Sequence, residues 1–235
     1  MTKHPKDAHT RFHEESLTFI QASTYLMTVH IAAAKDAHLF SSEHNELAKR
    51  LAPTYADPHQ YFMASLFVAH IAAFEFYLQE LVTSVVLRHP KKVGGVQFKL
   101  SDVLDAEGSE PLVQRAIDEL LNKLLYKKPL EYRDELADLL SIDKTIIEKD
   151  WPTFIEAKAR RDLGTHADWK CNTTYLRKVA EAGLTPTFQV GESVVPEWNP
   201  YARRVSDVLY QLTNTLTSAV VEKHWKSNGR SSANA

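Results

Sequence analysis

One cysteine, Cys171, stands in 235 residues. An intramolecular disulfide is thereby excluded, and so is a cysteine-rich zinc module. Glycine is nearly as scarce, at seven residues. Together with long runs rich in Ala, Leu and Glu, that argues against a β-sandwich or barrel, whose many short strands need frequent turns. No apolar run reads as long as the roughly 18 to 20 residues of a membrane span. The first ten residues, Met1 to Thr10, are polar and show no secretory signal. A cytoplasmic location without membrane contact is the expectation. An excess of charge is missing too: the net charge is −2, so there is no global basic field of the DNA-packaging kind. A nucleic-acid substrate would need only a local basic cleft.

Apolar content of 44% and charged content of 25% are those of a globular chain long enough to bury a real core. The expected class is all-α, an antiparallel helical bundle. Residues 1–10 read as a flexible leader, 11–225 as a single helical domain and 226–235 as a disordered tail. The first helix is expected from Arg11 to about His38, with Leu17, Ile20, Thr24, Met27 and Ile31 along one stripe. Ser41 to Ala52 reads as a short helix. Asp57-Pro58 pairs a capping side chain with a first-turn proline, and the helix it opens should run to about Arg88, before Pro90. That helix is apolar around much of its girth. Phe67, Ile71, Phe74, Leu78, Leu81 and Val85 form one stripe, and Phe62, Leu66, Ala69, Ala73, Phe76 and Tyr77 a second. It should therefore be central.

Residues 91–150 read as a helical insertion, since no Gly/Ser/Pro-rich linker brackets them. A loop with an extended crossing is expected over Lys91 to Leu100 and one turn over Ser101 to Leu104. Helices are expected from Ser109-Glu110-Pro111 to Tyr126, over Glu131 to Leu140 and over Asp143 to Lys149. Asp150-Trp151-Pro152 repeats the cap-then-proline signal, and a further helix follows at Thr173 to Ala180. A small β-hairpin is expected at about 186–195, around Gly191-Glu192, and Asn199-Pro200 opens a last helix, Tyr201 to Trp225.

Three polar features stand out on these helices. His9 and His13, one turn apart, have the spacing of a helical metal pair, but no third ligand is evident and a solvated helix start accounts for them. Glu75 sits among Ile71, Leu78 and Val82, where a carboxylate is costly unless paired. It is a partner for a basic active-site residue, a salt bridge across the bundle or an edge position reaching water. His70 reads as a hydrogen-bonded core or boundary histidine.

The stretch that carries chemistry is Ala159-Arg160-Arg161-Asp162-Leu163-Gly164-Thr165-His166. Arginine and histidine number eleven each, so an Arg and a His separated by four to six residues arise about once or twice by chance. Context separates this one. Asp162 directly follows Arg161, the motif ends an amphipathic helix, and Tyr175-Leu176-Arg177-Lys178 and a long terminal helix follow. In this setting the stretch resembles the HEPN domains, helical bundles whose Arg-polar-x3-His motif is the active site of metal-independent ribonucleases. Glu75-Phe76-Tyr77-Leu78 resembles the run that precedes the motif in HEPN-like proteins of bacterial defence loci. The resemblance covers 57–90 and 150–225. It departs from the family at Ala167, where many members carry a polar residue.

The resemblance implies a HEPN-like bundle, a toxin or antiviral defence endoribonuclease, no cofactor or metal, and a homodimer with two motifs facing each other in one composite cleft. It also leaves room for a cognate antitoxin or defence partner. The physical chemistry is consistent with it. RNA carries its own nucleophile, the 2′-hydroxyl, which His166 is suited to deprotonate near neutral pH. Arg161 would stabilise the phosphorane. Asp162, on the same helical face as His166, would orient the imidazole. Glu75 is a possible support.

Between 156 and 178, Lys158, Arg160, Arg161, Lys170, Arg177 and Lys178 outnumber Glu156, Asp162 and Asp168, six against three, a local +3. Of these, Arg160, Lys158, Lys170 and Arg177 are candidate substrate contacts, and Trp169 and Tyr175 have two readings, base-stacking or core. On an ideal helix Arg161 and His166 lie about 140° apart. Either the backbone bends at Gly164 or a second subunit contributes. The alternative to catalysis is a helical module that binds a protein or nucleotide, with Arg161, Asp162 and His166 as an ion-pair network.

Overall fold

The structure, a computed structural model, describes residues 4–35, 58–93, 97, 103 and 110–226. Among these it is all-α. Helix α1 spans Pro5–Lys35, α2 Pro58–Arg88, α3 Glu110–Leu125, α4 Pro129–Leu140, α5 Thr145–Glu148, α6 Trp151–His166, α7 Thr173–Glu181 and α8 Arg203–His224. A 3-10 turn, Pro90–Val93, follows α2, and a π-helical turn, Trp198–Ala202, leads into α8. The short helix expected at Ser41 to Ala52, most of the 94–104 segment and the tail beyond 226 lie outside the described residues.

Helix α2 is the axis of the bundle. It packs against α1, α3, α4, α6 and α8, and its first stripe, Phe67, Ile71, Phe74, Leu78, Leu81 and Val85, is buried throughout. The second stripe is divided: Tyr77 is buried, whereas Phe62 and Phe76 are exposed. Gln60–Arg88 is long and apolar enough to cross a membrane by length and composition, contrary to the reading of its sequence, and half of that apolar window is buried against other helices of this chain.

Two polar groups of this axis find partners on helices α1 and α8. Tyr77 lies 2.8 Å from the Thr217 hydroxyl and donates to the Thr213 carbonyl at 3.1 Å, and Arg11 on α1 reaches Glu80 at 2.8 Å.

Helix α1 differs from expectation in two ways. It begins at Pro5, within the anticipated leader, and buries Ala8. Its inward face is Phe12, Ser16, Phe19 and Ser23, while Leu17 is 57% exposed and Ile20 also faces outward. Two serines on the buried face conceal it from an apolar-period reading. The face packs onto His70 of α2, whose ring lies parallel to Phe19 at 4.3 Å between centroids and near Phe12 at 5.6 Å. Neither nitrogen of the buried His70 has a hydrogen-bond partner among the described residues. It is a core histidine, but not a hydrogen-bonded one.

The hairpin expected at 186–195 does not form, and no strand occurs among the described residues. This segment pairs with the turn after α6. Cys171 N–H donates to Glu192 O at 2.9 Å, Gly191 N–H to Cys171 O at 2.8 Å and Val194 N–H to Trp169 O at 2.8 Å. Asp150 is likewise no side-chain cap for α6; its carbonyl accepts from Phe154 N–H at 3.4 Å. Asn172 does cap α7, accepting from Tyr175 N–H at 2.9 Å.

Burial lowers the pKa of His70 from 6.5 to about 4. The folded state keeps the ring neutral while the unfolded chain protonates below its ordinary pKa. This contribution is therefore complete above pH 6.5 and is lost as pH falls from about 6.5 to 4, up to about 3 kcal/mol. Urea denaturation at pH 7 and pH 4.5 should show the wild type losing more stability than His70→Leu over that interval. Equal losses would contradict the assignment.

Candidate functional site

Helix α6 presents three faces to three environments. Its inner face, Phe154, Ile155, Ala157, Ala159 and Leu163, is buried in the core. Trp151 anchors its start by donating Nε1–H to the Pro129 carbonyl at 3.0 Å. Its flank toward α2 carries Lys158 and Arg161, and both reach Glu75. Lys158 Nζ donates to one carboxylate oxygen and Arg161 Nη2 to the other. The three side chains are 16%, 19% and 11% exposed for Lys158, Arg161 and Glu75. The carboxylate on the apolar helix is thus doubly paired.

The next shell of charge is shared with α7. Asp162 accepts from Lys178 Nζ at 3.1 Å and lies 3.3 Å from Arg161 Nε. That Nε is buried without hydrogen-bond geometry to any described residue, so the Asp162 contact is Coulombic. Arg161 Nη1 is engaged by no described residue. Lys158, Arg161 and Lys178 against Glu75 and Asp162 leave three positive and two negative charges, a net +1.

His166 ends α6 with its side chain exposed, and no described residue is hydrogen-bonded or ion-paired to its imidazole. Asp162 shares its face but turns its carboxylate to Lys178. Thr165 Oγ1 bonds back to the Asp162 carbonyl at 3.1 Å.

The helix is continuous through Gly164, so the backbone does not break there. Gly164 has a different reason to be glycine: a Cβ there would collide with the Trp169 indole. Asp168 and Trp169 both have positive φ, 48° and 55°, and this reversal folds Trp169 back onto α6. Arg161 and His166 therefore keep about the 140° offset of a straight helix.

Arg160, one residue from Arg161 and about 100° around the helix, meets a different fate. Its guanidinium is buried 3.7 Å from the Tyr201 ring centroid and 5.0 Å from that of Phe188. Glu156 accepts from Arg160 Nε at 2.9 Å, from the Tyr175 hydroxyl at 2.6 Å and from the Tyr201 hydroxyl. Burial, with the Glu156 charge, raises the pKa of both phenols above the usual range. This closed network ties the segment before α8 to α6.

Trp169 and Tyr175 are both buried, in line with their core reading. Lys170 and Arg177 are exposed, Arg177 lying 3.9 Å from Glu181. The structure thus gathers Glu75, Lys158, Arg161, Asp162 and Lys178, sets His166 apart at the helix end, and takes Arg160 into the core. The Glu156–Arg160 spacing was visible in sequence; Tyr201, 45 residues away, was not.

Among the described residues, no group of three or more His, Cys, Asp or Glu side chains is placed to hold a metal ion. No family model, curated protein or solved structure matches this chain.

Replacing Glu75 with Leu should cost roughly 3 kcal/mol in denaturant unfolding, because Lys158 and Arg161 lose the carboxylate that neutralises them at a largely buried site. Gly164→Ala should cost about 1–3 kcal/mol by displacing Trp169, readable as a lower Tm. An unchanged Tm would contradict the indole contact.

Proposed function

We propose that this chain is a HEPN-like, metal-independent endoribonuclease that acts as a homodimer in toxin or antiviral defence, in the cytoplasm. The observation that carries the reading is the contrast within one helix end. Arg161 is bonded to Glu75 through Nη2 with Nη1 engaged by no described residue, and His166 stands exposed at the last turn. A fixed cation and a free imidazole are the two groups an RNA phosphodiester needs, since the 2′-hydroxyl supplies the nucleophile.

In this reading His166 removes the 2′-hydroxyl proton as that oxygen attacks phosphorus. Arg161 balances the charge that gathers on the non-bridging oxygens, and the departing 5′-oxygen takes a proton. The products are a 2′,3′-cyclic phosphate and a 5′-hydroxyl. Because α6 is continuous, one chain turns Arg161 and His166 in different directions, which favours a site assembled from two copies. Across a two-fold axis one His166 would act as base and the partner's His166 as acid. The local excess of positive charge, with exposed Lys170 and Arg177 nearby, suits an RNA backbone. Asp162, paired with Lys178, tempers that charge.

The second reading is a non-catalytic helical module that binds a protein partner or a nucleotide. The observation in its favour is that Glu75 already pairs with both Lys158 and Arg161.

RNA cleavage in EDTA separates the two. The wild type should cut, with His166→Ala slowed by about 10²–10⁴-fold and Arg161→Ala by about 10²–10³-fold, while circular dichroism shows His166→Ala folded. If no RNA is cut at any protein concentration and His166→Ala lowers Tm, the binding module stands instead.

A further inference from the structure

The first and last helices meet at a cluster that the ribonuclease reading does not use. His9 and His13 stand one turn apart on α1, with ring centroids 4.1 Å apart and planes tilted by 33°. In sequence this pair lacks a third donor. The fold supplies one from 205 residues later: Asn214 on α8 brings Oδ1 to 2.8 Å from His9 Nε2. The Tyr210 ring packs against His13 at 4.4 Å. His13 Nε2 is buried with no hydrogen-bond partner among the described residues. An orphaned imidazole nitrogen beside a second imidazole and an amide oxygen is a donor set short of its acceptor.

We propose that His9 Nε2, His13 Nε2 and Asn214 Oδ1 bind a late first-row divalent cation of the zinc class, with water as the fourth ligand. Imidazole is a preferred ligand for these ions, and two histidines four residues apart on a helix present their nitrogens to one point, as in helical zinc motifs. Zinc–nitrogen bonds of about 2.0–2.1 Å in a tetrahedral site place two imidazole centroids roughly 5 Å apart, so the rings spread by about 1 Å on binding. His9 then carries its proton on Nδ1 and gives up its bond to Asn214, whose oxygen turns to the ion. All three protein ligands are neutral, so the bound ion keeps its charge among three partly buried side chains. The ion staples α1 to α8, joining the two ends of the described chain, and binding energy adds to folding stability.

The test is a zinc titration of the chelator-stripped full chain by calorimetry, beside the double variant His9→Gln/His13→Gln and Asn214→Ala. The wild type should bind one equivalent more than the double variant, and Asn214→Ala should bind that equivalent more weakly. Zinc should raise the Tm of the wild type by several degrees and leave the double variant unmoved. Cobalt(II) gives a readout independent of the variants, because a tetrahedral site absorbs intensely in the visible. Equal stoichiometry and affinity in wild type and double variant, or cobalt bound without tetrahedral bands, overturns the proposal.

Discussion

A 31-residue helix that is apolar around most of its girth must bury a continuous stripe of its surface, and the fold is arranged around covering that stripe of α2. Each fully buried Phe, Leu, Ile or Val contributes roughly 1.5–3 kcal/mol, and α2 supplies six such residues on one stripe alone. Covering it from several sides makes each buried polar group it carries costly unless paired, and three of them find partners on other helices. Tyr77 finds Thr217 on α8, Glu80 finds Arg11 on α1, and Glu75 finds Lys158 and Arg161 on α6. The candidate site is thus a by-product of packing that became specific. The carboxylate that α2 must neutralise fixes the very arginine on which phosphate chemistry would rest.

Arg160 and Arg161 illustrate how finely that packing sorts side chains. Adjacent in sequence and about 100° apart on α6, one enters a closed network of Glu156, Tyr175 and Tyr201, and the other pairs with Glu75 and keeps an Nη1 that no described residue engages. A buried guanidinium between aromatic rings and a carboxylate is a structural rivet. A rim guanidinium anchored at one nitrogen is held in place yet open to an anion.

His70 is the exception to the rule of partnered polar groups on α2. Its ring is accommodated by shape, between Phe12 and Phe19, with neither nitrogen hydrogen-bonded among the described residues. Such a group is tolerated because neutral imidazole stacks as an aromatic, and it leaves the α1–α2 contact dependent on that neutrality. The opposite edge of α1, where His9 and His13 meet α8, holds a second set of imidazoles in a more open setting. The first helix is therefore joined to the bundle by histidine on two sides.

What the sequence determined by itself is the set of features that depend on local chemistry. Proline after aspartate marked the start of α2 and proline at 90 its end; the scarcity of glycine and the 3.6-residue period set the all-α class; and Glu75 declared a need for a partner by its neighbours alone. The tertiary structure decided everything that hinges on which distant group arrives. It turned α1 onto a face containing Ser16 and Ser23 and gave the 191–194 segment to the Trp169–Cys171 turn rather than to a hairpin of its own. It explained Gly164 through an indole rather than a bend. The physical reason is common to all three. Periodicity and capping act within a turn or two of helix, whereas the burial of a polar side chain, the pairing of an extended segment and the close approach of a ring are settled by partners that only folding brings near.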